Sequence, residues 1–155
     1  MLRRTLLGTS TLIFVPPVFA HHGWSSFDQG RPIYVEGKVI KVEWRNPHAE
    51  LDIELPPGLK LPPDLARRVL PAQTAPVDGP GLLARAVLPT RRDKVWEIEL
   101  APLTRLEAWK VPEVKVGETV SVLGFTLIEE KGEPVVRAEF LFAGGKTYGM
   151  RSSPA

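Results

Sequence analysis

In five stretches of this chain hydrophobic and polar positions alternate with the two-residue period of half-buried strands. The run Ile33-Tyr34-Val35-Glu36-Gly37-Lys38-Val39-Ile40-Lys41-Val42-Glu43-Trp44 predicts one long strand over 33–44. Its first half places Val35 and Val39 inward, its second half Ile40, Val42 and Trp44. A parity switch within one strand marks a β-bulge, expected close to Gly37, and a strand bent there can serve two halves of a small barrel. Ala49, Leu51, Ile53 and Leu55 form the next apolar row, with Glu50, Asp52 and Glu54 opposite. Arg45-Asn46-Pro47-His48 makes the turn between these strands. A third strand places Trp96, Ile98 and Leu100 inward and Glu97 and Glu99 outward. Val120 and Val122 mark a fourth strand, after the turn Lys115-Val116-Gly117-Glu118. Val136, Ala138, Phe140 and Phe142 mark a fifth, opposite Arg137 and Glu139.

Between the third and fourth strands, Leu103, Leu106 and Trp109 recur at helical spacing behind Pro102. Five strands with one short helix in that place is the element order of a five-stranded OB-like barrel. An open β-sandwich fits the same order. Residues 56–94 interrupt the plan with eight prolines. They read as an insertion between the second and third strands, partly ordered, with about two helical turns over 64–70. The tail from Arg151 to Ala155 is expected to fray. Trp44, Trp96 and Trp109 belong to inward rows, and Trp24 and Phe27 are expected to fasten an N-terminal arm onto the barrel.

The first twenty residues obey a different grammar. Arg3 and Arg4 precede an uncharged stretch from Thr5 to Phe19, which closes on Val18-Phe19-Ala20. That is the pattern of a secretory signal peptide over 1–20, cut after Ala20, and it predicts a periplasmic or secreted protein. Arg3-Arg4 also suits the twin-arginine route. The apolar run is too short for a membrane span and is broken by Pro16-Pro17, so no span is expected after cleavage. Residues 1–20 hold two arginines and no acid, which leaves 18 basic and 18 acidic side chains over 21–155. A neutral balance gives no basic surface for nucleic acid. The absence of cysteine excludes disulfides, thiol catalysis and thiolate metal sites.

Three stretches then stand together: His21-His22-Gly23-Trp24-Ser25-Ser26-Phe27-Asp28, Trp44-Arg45-Asn46-Pro47-His48, and Val116-Gly117-Glu118-Thr119-Val120-Ser121-Val122-Leu123-Gly124. With Arg137-Ala138-Glu139-Phe140 and Gly144-Gly145-Lys146-Thr147, they resemble a family of small exported bacterial proteins catalogued as a domain of unknown function. The resemblance covers most of 21–55 and 95–149, and the proline-rich insertion departs from it. It implies export and an OB-like fold, and no activity.

Imidazole chemistry can use only His21, His22 or His48. Cleavage after Ala20 would give His21 a free α-amine beside its own imidazole, a chelate that one further imidazole turns into a three-nitrogen site. Copper(II) favours such tetragonal nitrogen ligation, which makes copper the candidate cofactor. His48 shares the parity of Glu50 and points off the core-facing row, so it is the expected third ligand, with His22 as its competitor. Glu50 would ligate or orient the imidazole. The plainer reading stands beside this one: a histidine left by a signal cut, and a solvated histidine in a turn. Asp52, Glu54, Glu97 and Glu99 read as a solvated polar face. Nucleophile-elbow, phosphate-loop and His-Glu-x-x-His motifs are lacking. The chain therefore reads as a non-enzymatic exported binding or accessory protein for an unidentified protein or small ligand. The alternatives are an OB-type module that recognises a protein or oligosaccharide without metal, and an enzyme built on the histidines.

Overall fold

A computed structural model describes residues 23–155; the expected leader over 1–20, and His21 and His22, lie outside the described residues. Five strands close into a barrel: β1 (Ile33–Glu43), β2 (Glu50–Glu54), β3 (Val95–Glu99), β4 (Thr119–Thr126) and β5 (Val135–Ala143). Their order is β3-β2-β1-β4-β5, and a parallel pairing of β3 with β5 completes the ring. Closure leaves no open edge among these strands and rules out the sandwich. Among the described residues no helix is long and apolar enough to cross a membrane.

The first strand bends and serves two halves of the barrel, as its pattern predicts. Residues 33–38 pair with β4 and residues 38–43 with β2. The bulge falls between Val39 and Lys41 rather than at Gly37, and its extra residue, Ile40, is 42% exposed instead of inward. Gly37 serves a different need. A Cβ there would lie 2.5 Å from the Glu54 carbonyl oxygen, so the crossing of β1 over β2 requires a bare backbone. A second bulge offsets Leu123/Gly124 of β4 against Phe140/Ala138 of β5, and Glu139 is its extra residue. It reverses the inward row. Val136 and Ala138 face the barrel interior, then Leu141 does, while Phe140 and Phe142 turn outward, contrary to their expected inward place.

Those outward aromatics have a cover. The interior core holds Val35, Leu51, Ile53, Trp96, Ile98 and Val122, with Trp44 and Trp109 packed against it. A second core lies outside the barrel wall, where Tyr34, Leu123, Phe125 and Phe140 meet Leu65, Leu82 and Leu83 of the insertion. The insertion is thus packed rather than partly ordered. It forms one 3-10 turn (Leu65–Arg67) in place of the expected two helical turns. It also forms helix α1 (Gly79–Arg85), whose N-cap Asp78 accepts a hydrogen bond from the Gly81 amide at 3.0 Å.

Both ends of the insertion are tied down. Val87 exchanges backbone hydrogen bonds with Pro32 and Tyr34 at 3.0 and 2.9 Å. Thr74 donates to Ser153 at 3.0 Å and Ala155 donates to Ala72 at 3.2 Å, so the tail expected to fray is stitched to the insertion. Helix α2 (Leu103–Ala108) stands between β3 and β4 as expected, and a short strand β6 (Lys146–Gly149), unforeseen in the sequence, forms a hairpin with β5.

Glu130 fastens the far end. Its buried carboxylate accepts from the Thr90 amide at 3.0 Å, the Thr90 hydroxyl at 2.9 Å, the Arg91 amide at 2.9 Å and the Arg31 guanidinium. Burial alone would raise its pKa, but these donors together pull it from 4.5 down to about 2. A depressed carboxylate contributes stability that is fully present above its unfolded pKa and is lost as pH falls through its folded one. Glu130→Gln should therefore remove on the order of 3 kcal/mol at pH 7 and flatten the loss of stability between pH 4.5 and 2. Urea denaturation at pH 7 and pH 3 measures both effects.

Candidate functional site

The turn after β1 is held by helix α2. Asn46 Oδ1 accepts from the Leu103 amide at 3.1 Å, which satisfies a donor that the start of the helix leaves open. Ala49 donates to Ala101 at 3.1 Å and accepts from Leu100 at 2.9 Å. The Trp44–His48 stretch is therefore a rigid bracket between β1, β2 and α2. At its end, His48 Nδ1 lies 3.4 Å from Glu50 Oε1. The pairing with Glu50 agrees with the parity of the sequence. The burial does not: His48 is only 9% exposed, where a side chain turned off the core row is expected to be solvated.

Glu50 opens onto a row of carboxylates. Across β2 and β3, Glu50 stands opposite Glu99 and Asp52 opposite Glu97. Like charges in direct cross-strand register destabilise a sheet, so their placement needs compensation. Glu97 finds little. Burial first, then Glu50, Glu99 and Asp52, push its pKa from 4.5 up to about 7, against a small opposing effect of Lys41. Glu99 is compensated. It is 3% exposed, not solvated as expected, and accepts from Arg137 Nε at 2.9 Å. Arg137 and Glu99 are register partners in the parallel β3–β5 pairing that closes the barrel.

The same guanidinium docks the N-terminal arm. Arg137 lies over the Trp24 ring at 5.0 Å and over Phe27 at 5.2 Å. Arg151 stacks on Trp24 at 3.7 Å and holds Glu139 through its Nε and Nη2 at 2.9 and 2.7 Å. Trp24 also packs edge-on against Phe125 at 6.4 Å. The arm is fastened as its aromatics predict, but the fastening is done by two arginines that the strand pattern places on a polar face and in the tail. Register partners on adjacent strands thus run from Arg137, beneath Trp24, to Glu99 and Glu50, and Glu50 meets His48.

The structure brings His48 together with Glu50; His21 and His22 lie outside the described residues. Among the described residues no group of three or more histidine, aspartate or glutamate side chains is arranged to hold a metal ion. None of the described tryptophan, tyrosine or phenylalanine side chains is among the exposed large apolar residues, which are Ile40, Leu61, Val69, Val87, Val95, Val116 and Ile128.

Fold and site together define a small OB-like β-barrel with an acidic outer face and a clamped N-terminal arm. Residues 12–58 match a family of unknown function (DUF6152), a stretch that takes in the arm, β1, the Trp44–His48 bracket and β2. No curated protein matches the chain.

A neutral Glu97 contributes stability below pH 4.5 that is lost as pH rises through about 7. Glu97→Gln should leave thermal stability near that of the parent at pH 4. At pH 8 it should raise stability by on the order of 2 kcal/mol, a figure discounted for solvent screening of a partly exposed group. Calorimetric melting at the two pH values checks the widening gap.

Proposed function

We propose that this protein is an exported, periplasmic binding or accessory protein that holds copper(II) where its mature N-terminus meets His48. The carrying observation is the His48–Glu50 contact on a carboxylate-lined face, beside the seam that clamps Trp24. Two further features support the reading. His21 and His22 directly precede Gly23, and two residues of chain reach about 7 Å. Strands β5, β3 and β2 lie side by side, so the clamp and Glu50 are separated by about 10 Å of sheet, within the combined span of chain and side chains. In this reading the His21 α-amine and imidazole form the chelate, and His48 supplies the third nitrogen with His22 as the alternative. Glu50 orients the ring or ligates. Surrounding carboxylates would raise the local affinity for a dication.

The test compares a chain beginning at His21 with one carrying a single additional N-terminal residue, each titrated with copper(II) by calorimetry and electron paramagnetic resonance. The His21 form should bind about one equivalent with several nitrogen ligands. The extended form and His48→Ala should each lose affinity at least about a hundredfold, more than removal of an outer-sphere partner causes. Equal binding by the native and extended forms would refute the reading.

A further inference from the structure

Away from the acidic face, the insertion and the β5–β6 hairpin enclose a cleft of about 380 Å³, within the size range of small-molecule sites. Its walls bring together Arg68 from the insertion, Glu36 of β1 and Lys146 of β6, with Ser121, Phe142 and Thr147 around them. We propose that this cleft binds a small zwitterion, a free α-amino acid, with its carboxylate on Arg68 and its ammonium on Glu36.

The two charges are built for that division. The Arg68 guanidinium lies over the Phe142 ring at 4.7 Å and over the Tyr34 ring at 5.7 Å, which fixes the plane of its fork. Only its Nε is engaged, donating to Asp64 at 3.2 Å; among the described residues its two terminal nitrogens make no hydrogen bond. Those nitrogens are the pair that grips a carboxylate with two parallel bonds. Glu36 accepts the Tyr34 hydroxyl at 2.7 Å and keeps the rest of its acceptor capacity. Burial, the largest influence on Tyr34, pushes its pKa up to about 12, so this hydroxyl remains a donor across the neutral range.

Arg68 and Glu36 both stand against Tyr34, yet among the described residues no ion pair joins them. Opposite charges that line one cleft without neutralising each other match a ligand that carries both. A simple anion would meet Glu36, and a simple amine would meet both Arg68 and Lys146. A neutral sugar could hydrogen-bond both groups but would neutralise neither charge. Arg68 comes from the insertion, so the segment that departs from a compact OB-like pattern also builds the site.

The test is amide-resolved NMR of the full chain titrated with L-alanine, acetate and ethylamine. L-Alanine should shift Ser121 and Thr147 saturably with a dissociation constant on the order of 1 mM, and acetate and ethylamine should not saturate over the same range. Glu36→Gln keeps an acceptor for the Tyr34 hydroxyl, and Arg68→Lys keeps the charge without the fork. Each should weaken L-alanine about tenfold or more while leaving the spectrum folded. Any of three results would overturn the proposal: no saturable response to L-alanine by about 50 mM, acetate binding as well as L-alanine, or unchanged affinity in Glu36→Gln.

Discussion

The Arg137–Glu99 ion pair is the interaction on which the rest of this structure leans. It sits on the β3–β5 seam, a parallel pairing of only three residue positions that turns a curled sheet into a barrel. Glu99 is 3% exposed at its side chain and Arg137 14%, so both have given up most of their water. A pair of this kind yields little net stabilisation over an apolar replacement, yet removal of one partner typically costs about 3–5 kcal/mol, because the other charge is stranded. Arg137 also supports the rings of Trp24 and Phe27. Barrel closure and arm docking therefore share one guanidinium, and the carboxylate row leading to Glu50 and His48 starts at its partner.

The second organising feature is a barrel wall buried on both faces. Strand β4 is buried at every position from Val120 to Thr126, because the insertion covers what would otherwise be the solvent side. The cover is held at three places: by the backbone bonds around Val87, by the C-terminal tail against residues 72–75, and by Glu130. The same cover creates the cleft between Arg68 and Glu36. An insertion that interrupts the strand pattern is thus both a structural layer and the wall of a binding site.

Much of this is legible in the residues. The period-two rows over 49–55 and 95–100, the bent first strand and the helical spacing of Leu103 and Leu106 all lead to the observed elements. The inward places of Trp44, Trp96 and Trp109 follow from the same rows. The departures trace to physical causes. A bulge shifts parity without a composition mark, so Ile40, Phe140 and Phe142 lie on the face opposite to the one their pattern predicts. Proline-rich segments need not be slack when Leu65, Leu82 and Leu83 find an apolar wall, and the run Val122-Leu123-Gly124-Phe125 of β4, with Ile33-Tyr34-Val35 beside it, is the available sign of that wall. At the site, the link between His48 and Glu50 is legible from spacing alone. The burial of His48 is not, because it depends on the bracket that Asn46 builds with helix α2. Arg137 and Arg151 carry no local signal, since their partners lie on other strands or in the N-terminal arm.

The claim that Arg137 couples the arm to the barrel seam is tested most directly by a double-mutant cycle between two residues that it contacts. Trp24→Leu and Glu99→Gln, singly and together, would be measured by chemical denaturation in the parent and again in an Arg137→Met background. The account predicts a coupling energy of about 0.5 kcal/mol or more in the parent, vanishing when Arg137 is replaced. Additive effects in the parent, or a coupling that persists without Arg137, would contradict it.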